Sequence, residues 1–367
     1  MWQYRTKSVR RLCVRLACIF SAIRTRYLCS IAIFREVFRM FNPAENAEYN
    51  PLLDIDTSFA AYLNARTRSY KDHIVGGMLD YAFDTDFSVK QKITTFSLWS
   101  KTYKTLLNKD IPSKVKRIFQ SADEVGSLKH PEVYNAVKTC AERLQISVPT
   151  VYVRNAPEKY EIYSIATDDI EPCIVLTTGL IEHCSKEELR FLIGCECGHI
   201  QNNHCIFMMA APYFGINLFE EAEDDGRYDI GTATMQIAGT IFEWIKLADV
   251  TGDRAGIICL NNPQEYPMII ASLFNKGVLS FYGKEGMDLN ALMKQYEILH
   301  RTPARSIRIP PECSMIDRRI LAGLEFLSCE LLYNWRTDLN RADVHTVNKQ
   351  ALEVRCEIIL DAAKGGV

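Results

Sequence analysis

The chain has 367 residues, 48% of them hydrophobic and 24% charged, with a formal net charge of −2. This is the composition of a soluble globular protein that can bury a sizeable core, in one large domain or two ordinary ones. Its thirteen cysteines are odd in number and scattered without a repeated spacing, which argues against a disulfide framework and for a reducing, cytoplasmic setting.

The charge is uneven along the chain. Residues 1–41 hold nine Lys or Arg against the single acid Glu36, a net of +8, which leaves −10 for the remainder. An acidic body gives no reason to expect a nucleic-acid partner. The basic segment 1–39 reads either as an interfacial or leader-like extension or as sequence upstream of a true start at Met40, the reading preferred here; its apolar runs fall short of the roughly 20 residues that span a bilayer.

Residues 40–145 form a helical N-terminal region, with helices expected near 57–81, 87–107, 112–122 and 131–144 and no catalytic spacing among them. From 147 to 178 the pattern changes to short β-branched and aromatic runs: Ser147–Asn155, Tyr160–Ala166 and Cys173–Gly179 read as three strands of a small sheet.

Ser185 followed by Glu188 is a capping box, so a buried helix starts there. Leu189, Leu192, Ile193, Glu196, His199 and Ile200 share one of its faces. A carboxylate and an imidazole in an apolar stripe need each other, another polar group or a metal. Zinc peptidases with an H-E-x-x-H helix place two ligands at i and i+4 and use the Glu as general base on a zinc-bound water. Here the run is Cys195-Glu196-Cys197-Gly198-His199, so the base and second ligand stand and the first ligand is a thiol. A thiolate is a competent zinc ligand. It also leaves the metal less positive, so a weaker or narrower hydrolase is expected. Cys197 points roughly 200° away from Cys195 on a helix and reads as a packing residue.

Residues 205–247 read as a buried helical hairpin, interrupted by the acidic run 220–229, with a membrane-dipping hairpin as the less favoured alternative. Its second helix brings Asp249 into the stripe of Ala238, Phe242, Ile245, Gly252 and Gly256. An Asp paired with Arg254 or a Lys competes as an explanation for Asp253 more than for Asp249. Further helices are expected near 264–276, 289–300, 314–338 and 345–363, with a basic, proline-bounded loop at 300–311.

Val151-Tyr-Val, Ile174-Val-Leu-Thr-Thr-Gly-Leu-Ile181, the Glu196/His199 core, Asn203-His204, Asp249-x-x-x-Asp253-Arg-Ala-Gly and Thr302-Pro303 to Arg308-Ile309 occur in the order found in one family. Over about Val151 to Arg308 the chain resembles the HtpX-like and CAAX-prenyl-protease-like zinc metallopeptidases, of the gluzincin group. The resemblance implies one Zn2+ per chain at Cys195, His199 and Asp249, Glu196 as general base, and Asp253 orienting a ligand. It also implies His204 or Arg308 near the transition-state oxyanion, and a polypeptide substrate laid along the sheet edge. Three positions depart from the family: Cys195 for His, Asp249 for Glu, and Arg301-Thr302 where a His precedes Pro303.

The expected architecture is an α-rich α+β zincin-like fold with a small β-sheet and flanking helices. Its parts are the extension 1–39, the helical region 40–145, the metallopeptidase domain 146–310 and C-terminal helices over 311–367. The expected function is a zinc metalloendopeptidase, cytoplasmic or peripheral at the inner face of a membrane. A pseudopeptidase that binds polypeptide without cleaving it is the alternative, and a thiol redox switch at Cys195 or Cys197 is a third, weaker reading.

Overall fold

The computed structural model describes residues 71–168, 170–216, 232–282, 287–339 and 346–361. All of them fall in the second of two units, Phe59–Val367. The expectations for 1–39, 57–70 and the acidic run 220–229 lie outside the described residues.

The segment expected to close a helix at 71–81 instead forms a small hairpin, β1 (Ile74–Val75) against β2 (Met78–Leu79). Gly76 and Gly77 turn it with φ of 62° and 83°, the left-handed pair that a two-residue hairpin turn requires and that a helix cannot use. The helix expected at 87–107 is two, α1 (Asp84–Thr95) and α2 (Ser97–Thr105), because Phe96 between them is extended. A wider π turn at Leu106–Asp110 then leads into α3 (Ile111–Ser121).

β3 (Ala122–Glu124), which the sequence pattern did not indicate, pairs antiparallel with β4 (Thr150–Arg154). Between them α4 (Pro131–Arg143) runs where it was expected. β5 (Ile162–Thr167) and β6 (Ile170–Thr177) complete a mixed sheet of order β3-β4-β6-β5, with β4 and β6 parallel and β5 antiparallel at the edge. Side chains alternate across the sheet with the two-residue period of strands. Val151, Val153, Ile174 and Leu176 join one core with α4 and the helices behind it, whereas Tyr152, Cys173, Val175 and Ile165 join a second core with residues of α1 to α3. Ser164 lies opposite Ile174, so it shares the face of the first core.

A short α5 (Thr178–His183) follows β6, and α6 (Lys186–Gln201) starts at the expected box. Glu188 donates its N–H to Ser185 Oγ at 3.3 Å while its carboxylate accepts from Ser185 N at 2.6 Å. After α7 (Cys205–Ala210) comes α8 (Thr232–Cys259), 28 residues long. In the hairpin's first arm Phe207 stacks on Trp99 at 4.5 Å between ring centroids and also meets Trp244. Among the described residues no helix is long and apolar enough to cross a membrane.

α6 and α8 approach too closely for side chains at their crossing. A Cβ on Gly198 would sit 2.5 Å from Ala255 Cβ, and one on Gly256 would sit 2.6 Å from the Phe191 ring and 2.8 Å from Cys195 Sγ. These glycines set the distance between the two helices that carry the candidate site.

α9 (Tyr266–Asn275), α10 (Leu289–Arg301), α11 (Met315–Leu327), α12 (Glu330–Trp335) and α13 (Lys349–Leu360) pack around this centre. The helix expected at 314–338 breaks at Ser328-Cys329, where Cys329 bridges to Val347. The fully buried Arg254 ties α13 to α8 through Glu353 at 2.7 Å.

Candidate active site

Ser185 caps α6 and thereby fixes which residues face inward one to four turns later. Glu196 emerges half-buried beside β5, and Ser164 on that strand hydrogen-bonds it. Burial pushes the Glu196 carboxyl above its ordinary value, against the opposing pull of His199 and the Ser164 hydrogen bonds. A carboxylate shifted toward neutrality and hydrogen-bonded at the sheet edge suits a general base.

His199 lies one turn further on and is buried, which pushes its imidazole below the usual value despite the Glu196 and Asp249 charges. Its Nε2 faces Asp249 Oδ1 of α8 at 3.9 Å. No side chain intervenes at Gly252, where a Cβ would lie 3.0 Å from that Nε2. Its other nitrogen, Nδ1, is 3.0 Å from His204 Nδ1.

Cys195 is buried and its thiol is pushed well above its ordinary value, by burial first and by Asp253 second. Its Sγ lies 4.0 Å from Asp253 Oδ1, so it is turned toward Asp253. Cys197 is fully buried and packs in the core, as its position on the helix indicated.

These residues fit a divalent ion in part. His199 Nε2 and Asp249 Oδ1 face each other at 3.9 Å, wider than the roughly 3.3 Å between two donors of one tetrahedral zinc, so they must close on an ion to share it. Among the described residues no three His, Cys, Asp or Glu side chains converge as a metal-holding group. Cys195 has to rotate about its Cα–Cβ bond to join the pair.

Arg319 of α11, which sequence reasoning missed, occupies the carboxylates on the other side. Its Nε and Nη2 donate to Asp253 Oδ2 and Oδ1 at 2.6 and 2.7 Å, and its Nη1 donates to Asp249 Oδ2 at 2.9 Å. Tyr266 Oη donates to Asp253 at 3.1 Å and Tyr282 Oη to Asp249 at 2.5 Å. So Asp253 pairs with Arg319 and not with its neighbour Arg254. The available signal was helical spacing: Arg319 shares a face with the buried Ile316, Ile320 and Gly323.

Of the two groups expected near an oxyanion, His204 adjoins His199 and Arg308 lies on an exposed loop. His204 is 1% exposed and lies behind His199, with its Nε2 3.1 Å from Asp86 Oδ2, because the turn after α6 folds it back under the helix end. Arg308 is exposed on the loop before α11 and donates to the Arg305 and Ile307 carbonyls. Asp86 was also missed; an acid in the first turn of a helix is ordinary and carries no signal.

The sequence model of Peptidase family M48 matches residues 127–310, which contain Cys195, Glu196, His199, Asp249 and Asp253. The chain is 27% identical over 146 residues to the plastoglobule-localized metallopeptidase 48, chloroplastic, of Arabidopsis thaliana, covering 39% of this chain and 40% of that protein. It is 28% identical over 98 residues to a protease HtpX homolog of Thermodesulfovibrio yellowstonii, covering 27% and 34%. To a protease HtpX homolog of Pediococcus pentosaceus it is 31% identical over 81 residues, covering 22% and 27%. The matched stretches thus span two fifths or less of these relatives' length, and no solved structure matches. With half the chain under one family model and the Glu196/His199 helix crossing the Asp249/Asp253 helix inside it, this chain belongs to peptidase family M48.

Proposed function

We propose that the protein hydrolyses polypeptides as a zinc-dependent endopeptidase. The observation that carries this reading is Glu196, half-buried on α6 and hydrogen-bonded to Ser164 of the sheet's edge strand, one turn from the His199–Asp249 pair. The carboxylate oxygen and imidazole nitrogen of that pair suit zinc, which when bound would supply Lewis-acid polarisation of the scissile carbonyl and of the attacking water.

The chain's own residues would do the rest. A polypeptide added alongside β5, the edge strand, would be held by backbone hydrogen bonds and would bring its peptide group over Glu196. Glu196 takes the proton from the attacking water and returns it to the leaving amine. Asp249, with Cys195 after rotation, would complete the metal site with His199, and Asp253 would hold α8 to Arg319. A cytoplasmic setting belongs to the same proposal, supported by ten described cysteines that are all free thiols. The test is cleavage of an unfolded protein substrate by the purified full chain. Turnover lost in Glu196→Gln and in chelator supports the reading, and turnover unchanged in Glu196→Gln overturns it.

A second reading, a polypeptide binder without hydrolysis, is favoured by a separate observation. Arg319 already neutralises Asp249 and Asp253, and a fixed guanidinium beside the ion position opposes a second cation. Binding of an extended polypeptide with no Glu196-dependent turnover would select it.

A further inference from the structure

We propose that Asp86, on a helix ahead of the matched peptidase segment, is a positioning residue that sets, through His204, which nitrogen of His199 carries the proton. An unbroken buried chain of hydrogen bonds links the three residues. Asp86 is 2% exposed. It accepts from Trp244 Nε1 on Oδ1 at 2.6 Å and from the Thr251 hydroxyl on Oδ2 at 2.7 Å, and the same Oδ2 lies 3.1 Å from His204 Nε2. His204 Nδ1 in turn meets His199 Nδ1 at 3.0 Å.

The proton positions follow from what each group can do. Indole N–H only donates, and an ionised carboxylate only accepts. Phe83 N–H donates to Thr251 Oγ1 at 3.1 Å, which leaves that hydroxyl's proton for Asp86. His204 must therefore donate from Nε2, and in the neutral ring its Nδ1 is a bare acceptor. His199 Nδ1 must then be the donor between the rings, so His199 Nε2 is left with a free lone pair facing Asp249. That is the nitrogen a metal requires, and outer hydrogen bonds are the usual device for choosing it.

The opposite arrangement is one substitution away. In Asp86→Asn, Trp244 can only donate, so the amide oxygen must face it and the amide N–H must face Thr251 and His204. His204 Nε2 becomes an acceptor, its Nδ1 donates to His199 Nδ1, and the His199 proton moves to Nε2. Shape and volume barely change, while both tautomers reverse.

The purpose of this device rests on the peptidase reading, but its test does not. The imidazole nitrogens of 15N-labelled, metal-free full chain are read by NMR at pH 8, where free imidazole is neutral, with His204→Gln used to assign the rings. The expected result is a protonated Nδ1 and bare Nε2 on His199 in the parent protein, reversed in Asp86→Asn. A parent His199 carrying its proton on Nε2 overturns the proposal whether or not the variant folds, as does a folded Asp86→Asn with unchanged tautomers. Zinc affinity, measured by competition with a chromophoric chelator, should fall about 10- to 100-fold in Asp86→Asn. Failure of the parent to bind zinc would count against the peptidase reading and leave the ring-nitrogen result to decide this one.

Discussion

Arg319 closes on Asp253 through two parallel hydrogen bonds, Nε to Oδ2 at 2.6 Å and Nη2 to Oδ1 at 2.7 Å, in a pocket where both side chains are under a tenth exposed. Planar guanidinium and carboxylate match in this fork, and the geometry joins α11 to the helix that carries Asp249. Removing one partner would leave a buried charge unpaired. Arg319→Met is therefore expected to cost about 3–5 kcal/mol of stability in chemical denaturation. Adding Asp253→Asn should recover part of that loss, and a single variant as stable as the parent would refute the pairing's importance.

The crossing of α6 and α8 predicts a second, reciprocal pair. Gly198→Ala drives a methyl group to within 2.5 Å of Ala255 Cβ, an overpacking expected to cost about 1–3 kcal/mol. Ala255→Gly in the same protein should restore much of it, because it removes the atom in the way. Denaturation midpoints of the two singles and the double measure the coupling. Additive losses would mean that the helices relax apart.

Stability should rise with pH around Lys114. Its ammonium is pushed from 10.5 down to about 8, by burial first and then by Arg154 and Arg117, although Glu161 and Cys173 oppose the fall. Its Nζ lies 4.0 Å over the Tyr163 ring. Between about 8 and 10.5 the unfolded chain binds the proton and the folded one does not, so raising the pH through this window favours the folded state. Lys114→Met should stabilise the protein at pH 7 and flatten the rise seen in the parent between pH 8 and 10. Identical pH profiles for the two proteins would contradict this assignment.

The thiols argue against a redox switch. Burial pushes Cys173 to about 11 and Cys205 to about 12, and Cys197 is fully buried and raised well above its ordinary value. A neutral, inaccessible thiol reacts slowly. Native protein at pH 7.4 should therefore show slow labelling at Cys195 and Cys197 by a thiol-specific alkylating reagent, with rapid labelling after unfolding. Rapid labelling of Cys195 in the folded protein would revive the switch reading.

What the sequence made legible was what has a local period or a local cap. The capping box at Ser185 and Glu188 is present as read, and His199 faces Asp249 across the crossing of two helices where three- and four-residue spacing put each in an apolar stripe. The family order of motifs extended that reading to the fold, and the α-rich architecture with a small mixed sheet is what the structure contains. Features that depend on distant partners were not legible. Asp86 meets His204 across 118 positions and Arg319 meets Asp253 across 66, and neither pairing leaves a mark on the intervening residues. β3 was hidden because Ala122-Asp-Glu124 has no β-branched or aromatic residue. Gly76-Gly77 was visible in the sequence, but its turn was absorbed into a helical pattern.

The proposed function requires His199 and Asp249 to share a zinc ion that Cys195 turns to join. It is tested most directly by zinc content per chain in full-length protein purified without added metal, beside the variants Cys195→Ala and His199→Ala. The account predicts about one zinc in the parent and its loss from both variants with folding intact. A folded parent without zinc, and unable to take it up on dialysis, would contradict the account and leave Arg319 as the only cation on those two carboxylates among the described residues.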